Sequence, residues 1–600
     1  MNGRFDTSIF NAEALRREAS ELFLPLVVCR DLAAARKRLF LAVTHYQFDT
    51  YLAAAEEKTD EITIVRDCAR AMRSLFKERS DARAGFSVAQ ALWDIARGVP
   101  RPDLGPGFYA EMIRLAQGIE GRAPHHEPGE VRPREGLTGR AAALARSEEL
   151  DLIWARVESC MGRYPDGLSA EARARRAARR ARVLSALGGS EADWSDWRWQ
   201  AANVITSFEK LAAAVRLSPG EEAGVRRALA GRLPFGITPY YAALMDDEPD
   251  GGGRDRAVRA QVLPPEDYSA AMAAARGNPD CSLDFMREGD TSPIDLITRR
   301  YPAIAILKPF NTCPQICVYC QRNWEIDQAM APGALAPEEK IEAACRWLEA
   351  HPAIREVLVT GGDPLALPDE ELERILGRVA AIPHVDLIRI GSRVPVTMPM
   401  RITDRLAQLL GSLRRGGSRE VCLSTHVEHP YEVTPELVEA AGRLRANGIA
   451  VFNQLVYTFH VSRRFEAARL RVLLRLAGID PYYTFAPKGK KETGAYRVPL
   501  ARILQEQKEE ARLLPGTRRT DEAVYNVPGL GKNYLRAVQH RDLLSVLPDG
   551  SRVYEFHAWE KNITRSESYV GADVPILEYL ERLAALGEDP EDYASIWYYF

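Results

Sequence analysis

The sequence predicts an α/β fold in which a partial (β/α)6 barrel of the TIM type follows a largely helical N-terminal region. From residue 1 to about 117, apolar residues recur at the three- and four-residue spacing of amphipathic helices, and more helix is expected after a linker. From Tyr301 onward, short β-rich runs alternate with amphipathic helices, as in successive βα units around a parallel sheet. Polar or glycine-rich segments directly follow these runs, at the edge where parallel barrels hold their chemistry.

Six strands are predicted in the barrel, with helices between them and another helix after the last. They lie near Ala303–Phe310, Glu356–Thr360, Val385–Ile390, Val421–Ser424, Ile449–Val456 and Pro481–Phe485. A stretch rich in proline, glycine and charge, Gly121–Gly136, is expected to be a linker because it has no periodic apolar face. The predicted segments are a helical extension (1–120), a linker with a helix (121–190), a helical segment (191–295), the barrel (296–515), a C-terminal segment (516–563) and a helical tail (564–600).

The composition narrows the range of partners and compartments. Lys and Arg number 80 against 83 Asp and Glu, so no overall charge favours nucleic acid or an anionic membrane, and a small-molecule partner is expected. The arginine-rich run Glu171–Arg182 lacks interleaved aromatic residues for base stacking, so we expect a solvated helix face and not an RNA site. The apolar stretch Leu22–Cys29 is shorter than the roughly 20 residues that span a bilayer, and no signal peptide is expected. Nine irregularly spaced cysteines favour a reducing cytoplasm.

Three cysteines crowd into one segment directly after the first predicted strand. They are Cys313, Cys317 and Cys320. Cysteine thiolates bind iron-sulfur clusters, and three protein ligands leave one iron open for another ligand. A structural zinc site would need a fourth ligand, and unligated thiols are the other alternative. The CxxxCxxC spacing resembles the radical S-adenosylmethionine superfamily, in which the open iron of a 4Fe-4S cluster binds the amino and carboxylate groups of the cofactor's methionine.

Polar groups next to the later strands are expected to bind the same cofactor. Glycines after the second strand allow the backbone to approach a ligand, and the exposed amide and carboxylate groups there can bind an ammonium. Each group alone would be an ordinary turn or strand residue, and its position at one edge of the barrel favours the functional role. The predicted S-adenosylmethionine-binding residues are Tyr319, Gly361, Gly362, Asp363, His426 and Gln454.

Ordered matches between about Asp193 and Asn562 resemble the lysine 2,3-aminomutase type of radical aminomutase, which also uses pyridoxal phosphate. The resemblance implies a barrel of the radical S-adenosylmethionine class. It also implies a 5'-deoxyadenosyl radical that abstracts hydrogen from C3 of an amino acid, after which nitrogen migrates from C2 to C3. The matching segments are Asp196–Gln200, Ile237–Tyr241, Arg300–Pro302, Gly361–Leu365, Arg389–Arg393, His426–Pro430, Asn453–Gln454, Pro481–Tyr483 and Tyr496–Pro499.

The same resemblance implies roles for three basic residues. Lys532 ends a glycine-rich segment like the one whose lysine forms the Schiff base with pyridoxal phosphate, although a surface hairpin with a solvated lysine is an alternative. Arg300 resembles the arginine near the cofactor phosphate, but a second arginine usual four positions later is here Ile304. Arg322 matches the arginine that clamps the substrate carboxylate through a bidentate pair, and its alternative is an ordinary loop residue.

The expected substrate is acidic, either glutamate or aspartate. Family members that act on lysine hold its distal ammonium with two aspartates, and these positions are here Lys488 and Asn526. A cation and an amide reverse the charge preference, and the same pair is the pattern of the glutamate-specific branch. In the alternative, Lys488 belongs to a basic surface loop with Lys490 and Lys491, and selectivity resides elsewhere.

Other functions remain open at this point. They are a lysine 2,3-aminomutase, another radical reaction such as epimerisation or elimination, and an iron-sulfur binding or regulatory protein. The family's C-terminal zinc-binding cysteines have no counterpart, so no structural zinc is expected. An electron donor such as flavodoxin or ferredoxin is expected as a partner, and a homo-oligomer is compatible with the sequence. The tail Ile576–Phe600 is predicted to be one amphipathic helix with a packed aromatic end.

Overall fold

A curved sheet forms the centre of the molecule, as seen in a computed structural model that describes residues 5–53, 59–123, 136–248, 253–278, 281–487, 491–557 and 567–600. Its nine strands lie side by side in sequence order. They are β1 (Ile297–Tyr301), β2 (Ile304–Phe310), β3 (Glu356–Gly361), β4 (Leu387–Gly391), β5 (Glu420–Thr425), β6 (Ala450–Val456), β7 (Asp480–Phe485), β8 (Glu522–Val527) and β9 (Gly531–Tyr534). A separate sheet contains β10 (Arg541–Val546), β11 (Arg552–Phe556) and β12 (Tyr569–Ala572).

The nine-stranded sheet curls into a nearly closed barrel. Strands β2 to β8 are parallel, whereas β1 pairs antiparallel with β2, and β9 pairs antiparallel with β8. The two edge strands lie close to each other, as shown by a hydrogen bond between them. The backbone N–H of Lys532 on β9 donates to Tyr301 Oη on β1 at 2.9 Å. The six predicted strands are confirmed as β2 to β7. Three strands of this sheet were not predicted: the edge strand β1, strand β8, which follows the sixth unit in parallel, and the hairpin strand β9.

Alternating burial along the strands distinguishes the face that packs against the helices from the face that lines the barrel. On β3, Val357 and Val359 are buried, while Leu358 and Thr360, which alternate with them, are half-buried. One face of a strand therefore packs against the surrounding helices and the other faces the barrel interior. Two of the covering helices begin at threonine caps, and Thr434 accepts the backbone N–H of Leu437 at 3.1 Å. The helices between and after the barrel strands are α17 (Glu338–Glu349), α18 (Asp369–Ala380), α19 (Val394–Thr397), α20 (Asp404–Ser412), α21 (Pro435–Ala446), α22 (Glu466–Ala477) and α23 (Leu500–Leu513).

The region before the barrel is helical, as predicted. Its first group comprises α1 (Ala12–Glu18), α2 (Ser20–Phe23), α3 (Leu32–Ala53), α4 (Thr59–Leu75), α5 (Glu78–Ala84), α6 (Val88–Ala96) and α7 (Pro106–Ile119). Its second group comprises α8 (Gly139–Gly162), α9 (Ala170–Leu187), α10 (Glu191–Trp194), α11 (Trp197–Ala202), α12 (Phe208–Ala214), α13 (Pro219–Ala230), α14 (Pro239–Ala242), α15 (Arg256–Val262) and α16 (Glu266–Gly277). Among the described helices, none is both long and apolar enough to cross a membrane.

The first group of helices packs on the small C-terminal sheet. Arg552 on β11 bonds both carboxylate oxygens of Glu111 on α7, at 2.9 and 3.0 Å. Arg79 on α5 contacts Glu555 on β11, with its Nη2 at 3.0 and 2.9 Å from the two carboxylate oxygens. We call these helices, the three-stranded sheet and the chain's C-terminal tail the terminal module. Its apolar core is continuous with that of the barrel, and the predicted segment boundaries stay predictions.

Two expectations about helices are corrected. The tail is not one helix, because α24 (Ile576–Ala585) ends before Gly587, which has φ 83°, and a 3-10 helix follows over Pro590–Tyr598. The aromatic end is buried as expected. Helix α9 is not simply a solvated face, since Arg179 is buried and its Nη1 lies 2.7 Å from Asp246 Oδ1. The arginines of α9 therefore help to attach this helix to the segment before the barrel.

Candidate active site

The three cysteines of the predicted cluster lie on the loop that follows β2. All three are free thiols, so no disulfide competes for them. Burial raises the pKa of Cys313, and the nearby Asp363, Cys320 and Cys317 act in the same direction. Burial also raises the pKa of Cys317, where the Arg393 guanidinium opposes the shift and Cys320 adds to it. The loop thus gathers three thiols in one place, which is the donor set that a cluster with one open iron needs.

Glycine and aspartate after β3 hold the cysteine loop in place. A Cβ at Gly362 would lie 2.1 Å from the carbonyl oxygen of Thr312, so only glycine fits against this loop. The Asp363 carboxylate was expected to be exposed for an ammonium, and this expectation is wrong. It is buried and accepts hydrogen bonds from Ser392 Oγ at 2.6 Å and from the backbone N–H groups of Arg393, Val394 and Leu365. Asp363 therefore ties the loops after β3 and β4 together.

Arg393 is a site residue that the sequence reasoning missed. Its Nη1 lies 2.9 Å from Cys317 Sγ, and its Nη2 lies 2.7 Å from Glu432 Oε1. Its Nε donates to the carbonyl oxygen of His426 at 3.2 Å. This one side chain joins the cysteine loop to the segments after β4 and β5. The available signal was its position, directly after a strand and at the same edge as the cysteines.

The other predicted cofactor-binding residues line the same edge of the barrel. Tyr319 Oη donates to Glu428 Oε1 at 3.0 Å, and burial raises the pKa of this phenol, so it stays protonated. His426 Nδ1 lies 3.7 Å from the same carboxylate oxygen. Gln454 lies on β6, opposite Tyr483 of β7, and is half-buried. Glu428, a second residue that sequence reasoning missed, thus accepts a hydrogen bond from Tyr319 and lies close to His426.

Lys532 lies on β9, close to where the two edges of the barrel sheet meet. Its Nζ is 4.9 Å from the ring centre of Tyr483 and 5.2 Å from that of Tyr301. Its partner across the hairpin is Asn526 of β8. A Cβ at Gly531, which has φ 87°, would lie 2.6 Å from Tyr301 Oη, so glycine is needed for this close approach. The expected loop is therefore a short hairpin, and Lys532 lies between aromatic rings.

Arg300 lies on β1, near the same hairpin. Its Nη2 donates to the carbonyl oxygen of Met286 at 2.9 Å. Its Nε is buried, and within the described part of the chain no group accepts a hydrogen bond from it. A buried guanidinium nitrogen without an acceptor is costly unless a ligand supplies one. Arg300 therefore fits a phosphate group placed near Lys532.

Arg322 follows the cysteine loop and is also buried. Its Nη2 lies 2.7 Å from each carboxylate oxygen of Glu288. Its Nη1 is buried and has no acceptor among the residues that the structure describes. Of the two predicted selectivity residues, Lys488 lies outside the described residues. Asn526 is half-buried beside Lys532.

The comparisons with known proteins agree with this geometry. A parallel barrel with three cysteines after β2 defines a radical S-adenosylmethionine enzyme, and the family model for the Radical SAM superfamily matches residues 307–456. The chain is 43% identical over 547 residues to a KamA family protein of Methanocaldococcus jannaschii, covering 88% of this chain and 87% of that protein. It is 34% identical to an L-lysine 2,3-aminomutase of Acetoanaerobium sticklandii, over 53% of this chain and 72% of that one. It is also 34% identical to a glutamate 2,3-aminomutase of Clostridioides difficile, over 52% and 70%.

The chain belongs to the KamA family of radical S-adenosylmethionine aminomutases, and it is an isomerase. Membership of this family implies a 4Fe-4S cluster, S-adenosylmethionine and pyridoxal phosphate as cofactors. The side chains described above fit these groups. Three free thiols share one loop. Arg300 Nε is buried without an acceptor among the described residues, and the Arg300 side chain lies close to Gly531, the residue before Lys532.

Proposed function

We propose that this aminomutase moves the α-amino group of an acidic amino acid, glutamate or aspartate, from C2 to C3. The observation that carries the proposal is the pairing of Asn526 with Lys532 across one hairpin. It brings an amide, and not a carboxylate, next to the lysine expected to hold pyridoxal phosphate. An ammonium-bearing side chain would meet no anion from this position. A carboxylate would find an N–H donor.

The proposed roles of the chain's own residues follow from their positions. Cys313, Cys317 and Cys320 would hold the cluster, and Arg300 would hold the phosphate of pyridoxal phosphate. When bound, S-adenosylmethionine on the reduced cluster supplies a carbon-centred radical, and pyridoxal phosphate supplies a conjugated ring that delocalises an unpaired electron. Lys532 would anchor pyridoxal phosphate, and Tyr301 and Tyr483 limit its motion and exclude water.

Binding at the cluster side depends on a second group of residues. Tyr319, His426 and Gln454 would contact S-adenosylmethionine at the barrel edge. Gly361 and Gly362 would let the backbone approach this ligand, and Asp363 would fix the shape of the loops around it. Together these residues would position S-adenosylmethionine beside the substrate and exclude solvent.

The substrate would be held at both ends. Arg322 would bind the α-carboxylate, for which its Nη1 has no competing acceptor among the described residues. Lys488 and Asn526 would bind the distal carboxylate. With these contacts a lysine substrate would bring like charges together in a partly desolvated site, which costs several kcal/mol.

A turnover screen tests the proposal. Anaerobically reconstituted enzyme receives each common amino acid in turn, and the products are identified by mass and by comparison with β-amino acid standards. We expect conversion of glutamate or aspartate. Robust conversion of lysine with none of the acidic amino acids would reject the substrate assignment, and an epimer or an elimination product would reject the 2,3-shift. We further propose flavodoxin or ferredoxin as the electron donor, a cytoplasmic location and a homo-oligomeric state.

A further inference from the structure

Glu288 lies between two cations at the mouth of the barrel. Each of its carboxylate oxygens is 2.7 Å from Arg322 Nη2, and Oε2 is also 3.5 Å from Lys308 Nζ. Lys308 lies on β2, next to the buried Leu307 and on the opposite face. The three charged side chains are largely removed from solvent, with 11% of Glu288, 10% of Arg322 and 20% of Lys308 exposed.

The charges of this trio do not balance. Two cations share one carboxylate, and Arg322 Nη1 is buried without an acceptor in the described part of the chain. Glu325 lies near both cations, but its carboxylate forms no ion pair with Arg322 or Lys308 among the described residues, whose ion pairs are with Glu288. Asp284 accepts the backbone N–H groups of Glu288 and Gly289 at 2.8 and 2.9 Å. The trio therefore has the charge for one further carboxylate.

The backbone that carries Glu288 is fixed at several points. Asp284 caps it, and the carbonyl oxygen of Met286 accepts a hydrogen bond from Arg300. The side chain of Arg287 approaches Gly529 in the lysine hairpin. Exchange of ion-pair partners at Glu288 would therefore use rotation of its side chain and not movement of the segment. A rotation of this kind suffices because both cations are already within reach.

We propose that Glu288 is a resident carboxylate which the α-carboxylate of the substrate replaces on Arg322, and that Lys308 receives Glu288 when this happens. The inference rests on the proposed function, because it takes Arg322 as the residue that clamps the substrate. A buried carboxylate without a cation is strongly unfavourable. Lys308 removes that cost without touching the substrate, and is therefore a positioning residue.

This exchange predicts a pattern of binding affinities among variants that direct contact between Lys308 and the substrate would not give. Lys308→Met leaves the displaced Glu288 without a cation, so amino acid binding weakens by about tenfold. Glu288→Gln removes the resident anion, so binding becomes tighter than in the unmodified enzyme. The double variant Lys308→Met with Glu288→Gln has no displaced anion, so its affinity returns to at least the unmodified value. Lys308→Arg keeps the cation and should bind normally.

The test measures binding without turnover. Enzyme carrying its cluster and pyridoxal phosphate, but without S-adenosylmethionine or reductant, is titrated calorimetrically with L-glutamate and L-lysine. Their decarboxylated counterparts, 4-aminobutanoate and cadaverine, serve as ligands without the α-carboxylate, and their binding should change little between variants. The control variant is Lys340→Met, because Lys340 lies on α17 and pairs with Asp295 at 2.8 Å. Cluster content and thermal unfolding establish that each variant is folded.

The possible outcomes are distinct. Restored binding in the double variant supports the exchange. A double variant as weak as Lys308→Met would overturn it, because Lys308 would then contact the substrate itself. Weaker binding in Glu288→Gln alone would also overturn the exchange. So would a result in which neither L-glutamate nor L-lysine binds to the unmodified enzyme. Conversion of lysine in the turnover screen would refute the acidic substrate but not the exchange, since every amino acid carries the α-carboxylate.

Discussion

The terminal module and the mouth of the barrel both bury an arginine against a glutamate, but they provide different numbers of hydrogen-bond acceptors for its guanidinium group. Arg552 in the terminal module bonds both oxygens of Glu111 and also the carbonyl oxygens of Trp597 and Tyr599. Arg322 at the barrel mouth contacts Glu288 through Nη2 alone, and its Nη1 has no acceptor among the described residues. Buried polar groups are normally satisfied, so an arginine with an unused donor is a candidate for ligand binding. Arg552 stabilises the fold, whereas Arg322 is the residue that we propose to bind the substrate.

The largest expected effect lies at the barrel mouth. Changing Cys317 to alanine should eliminate the 4Fe-4S cluster and the reductive cleavage of S-adenosylmethionine, because two cysteines cannot replace three ligands. Iron analysis and low-temperature electron spin resonance measure the loss. Cys29→Ala, in the terminal module, is the matched control and should retain a full cluster. A cluster signal that persists in Cys317→Ala would contradict the ligand assignment.

Lys532 should be the site of covalent pyridoxal phosphate attachment. Borohydride reduction of the holoenzyme should label one peptide, and the label should disappear in Lys532→Ala, since no other amine would occupy the position between Tyr301 and Tyr483. Peptide mapping by mass spectrometry locates the label. Lys340→Met should be labelled as in the unmodified enzyme. A label on Lys308 or Lys488 would show that the hairpin has been assigned wrongly.

Arg322→Met should weaken amino acid binding by about a hundredfold, because the substrate carboxylate loses a buried charged partner. Stability should change little, since Glu288 keeps Lys308 as a cation. Calorimetric binding and thermal unfolding of the same preparations separate the two effects. A large loss of stability with unchanged affinity would reverse the roles that we assign to Arg322 and Arg552.

Disrupting the arginine–glutamate pair of the terminal module should have the opposite effect, with a loss of stability and no change in amino acid binding. Glu111→Gln leaves Arg552 buried with a neutral partner, which should lower the free energy of unfolding by about 3 kcal/mol. Amino acid binding should be unaffected, because this pair lies in the terminal module. Denaturant unfolding and calorimetry on the same variant measure both quantities. Weakened binding at full cluster content would mean that the terminal module acts on the site.

The sequence predicted more of the barrel than of its contacts, for a physical reason. Six strands and the cysteine loop follow from local periodicity and spacing, which need no distant partner. The pairing of Glu288 with Arg322 spans 34 residues, and that of Glu111 with Arg552 spans 441. Such partners are chosen by the fold, so no local pattern predicts them. The role of Asp363 was misjudged for the same reason, because its acceptors are used by the neighbouring loop.

The smallest expected effect concerns substrate choice, and it asks whether the barrel mouth selects by charge. Asn526 is an uncharged residue beside Lys532, so Asn526→Asp together with Lys488→Asp would replace an amide and a cation with two anions. The distal site would then attract an ammonium, and preference should shift toward lysine by about tenfold or more, since like charges cost several kcal/mol in a partly desolvated site. Competition between glutamate and lysine in one reaction, followed by mass analysis of the β-amino acids, measures the shift. Asn526→Gln keeps the amide and should leave the preference unchanged. An unchanged preference in the double variant, with the cluster intact, would place selectivity elsewhere in the barrel and leave Arg322 as the only charged contact to the substrate that we assign.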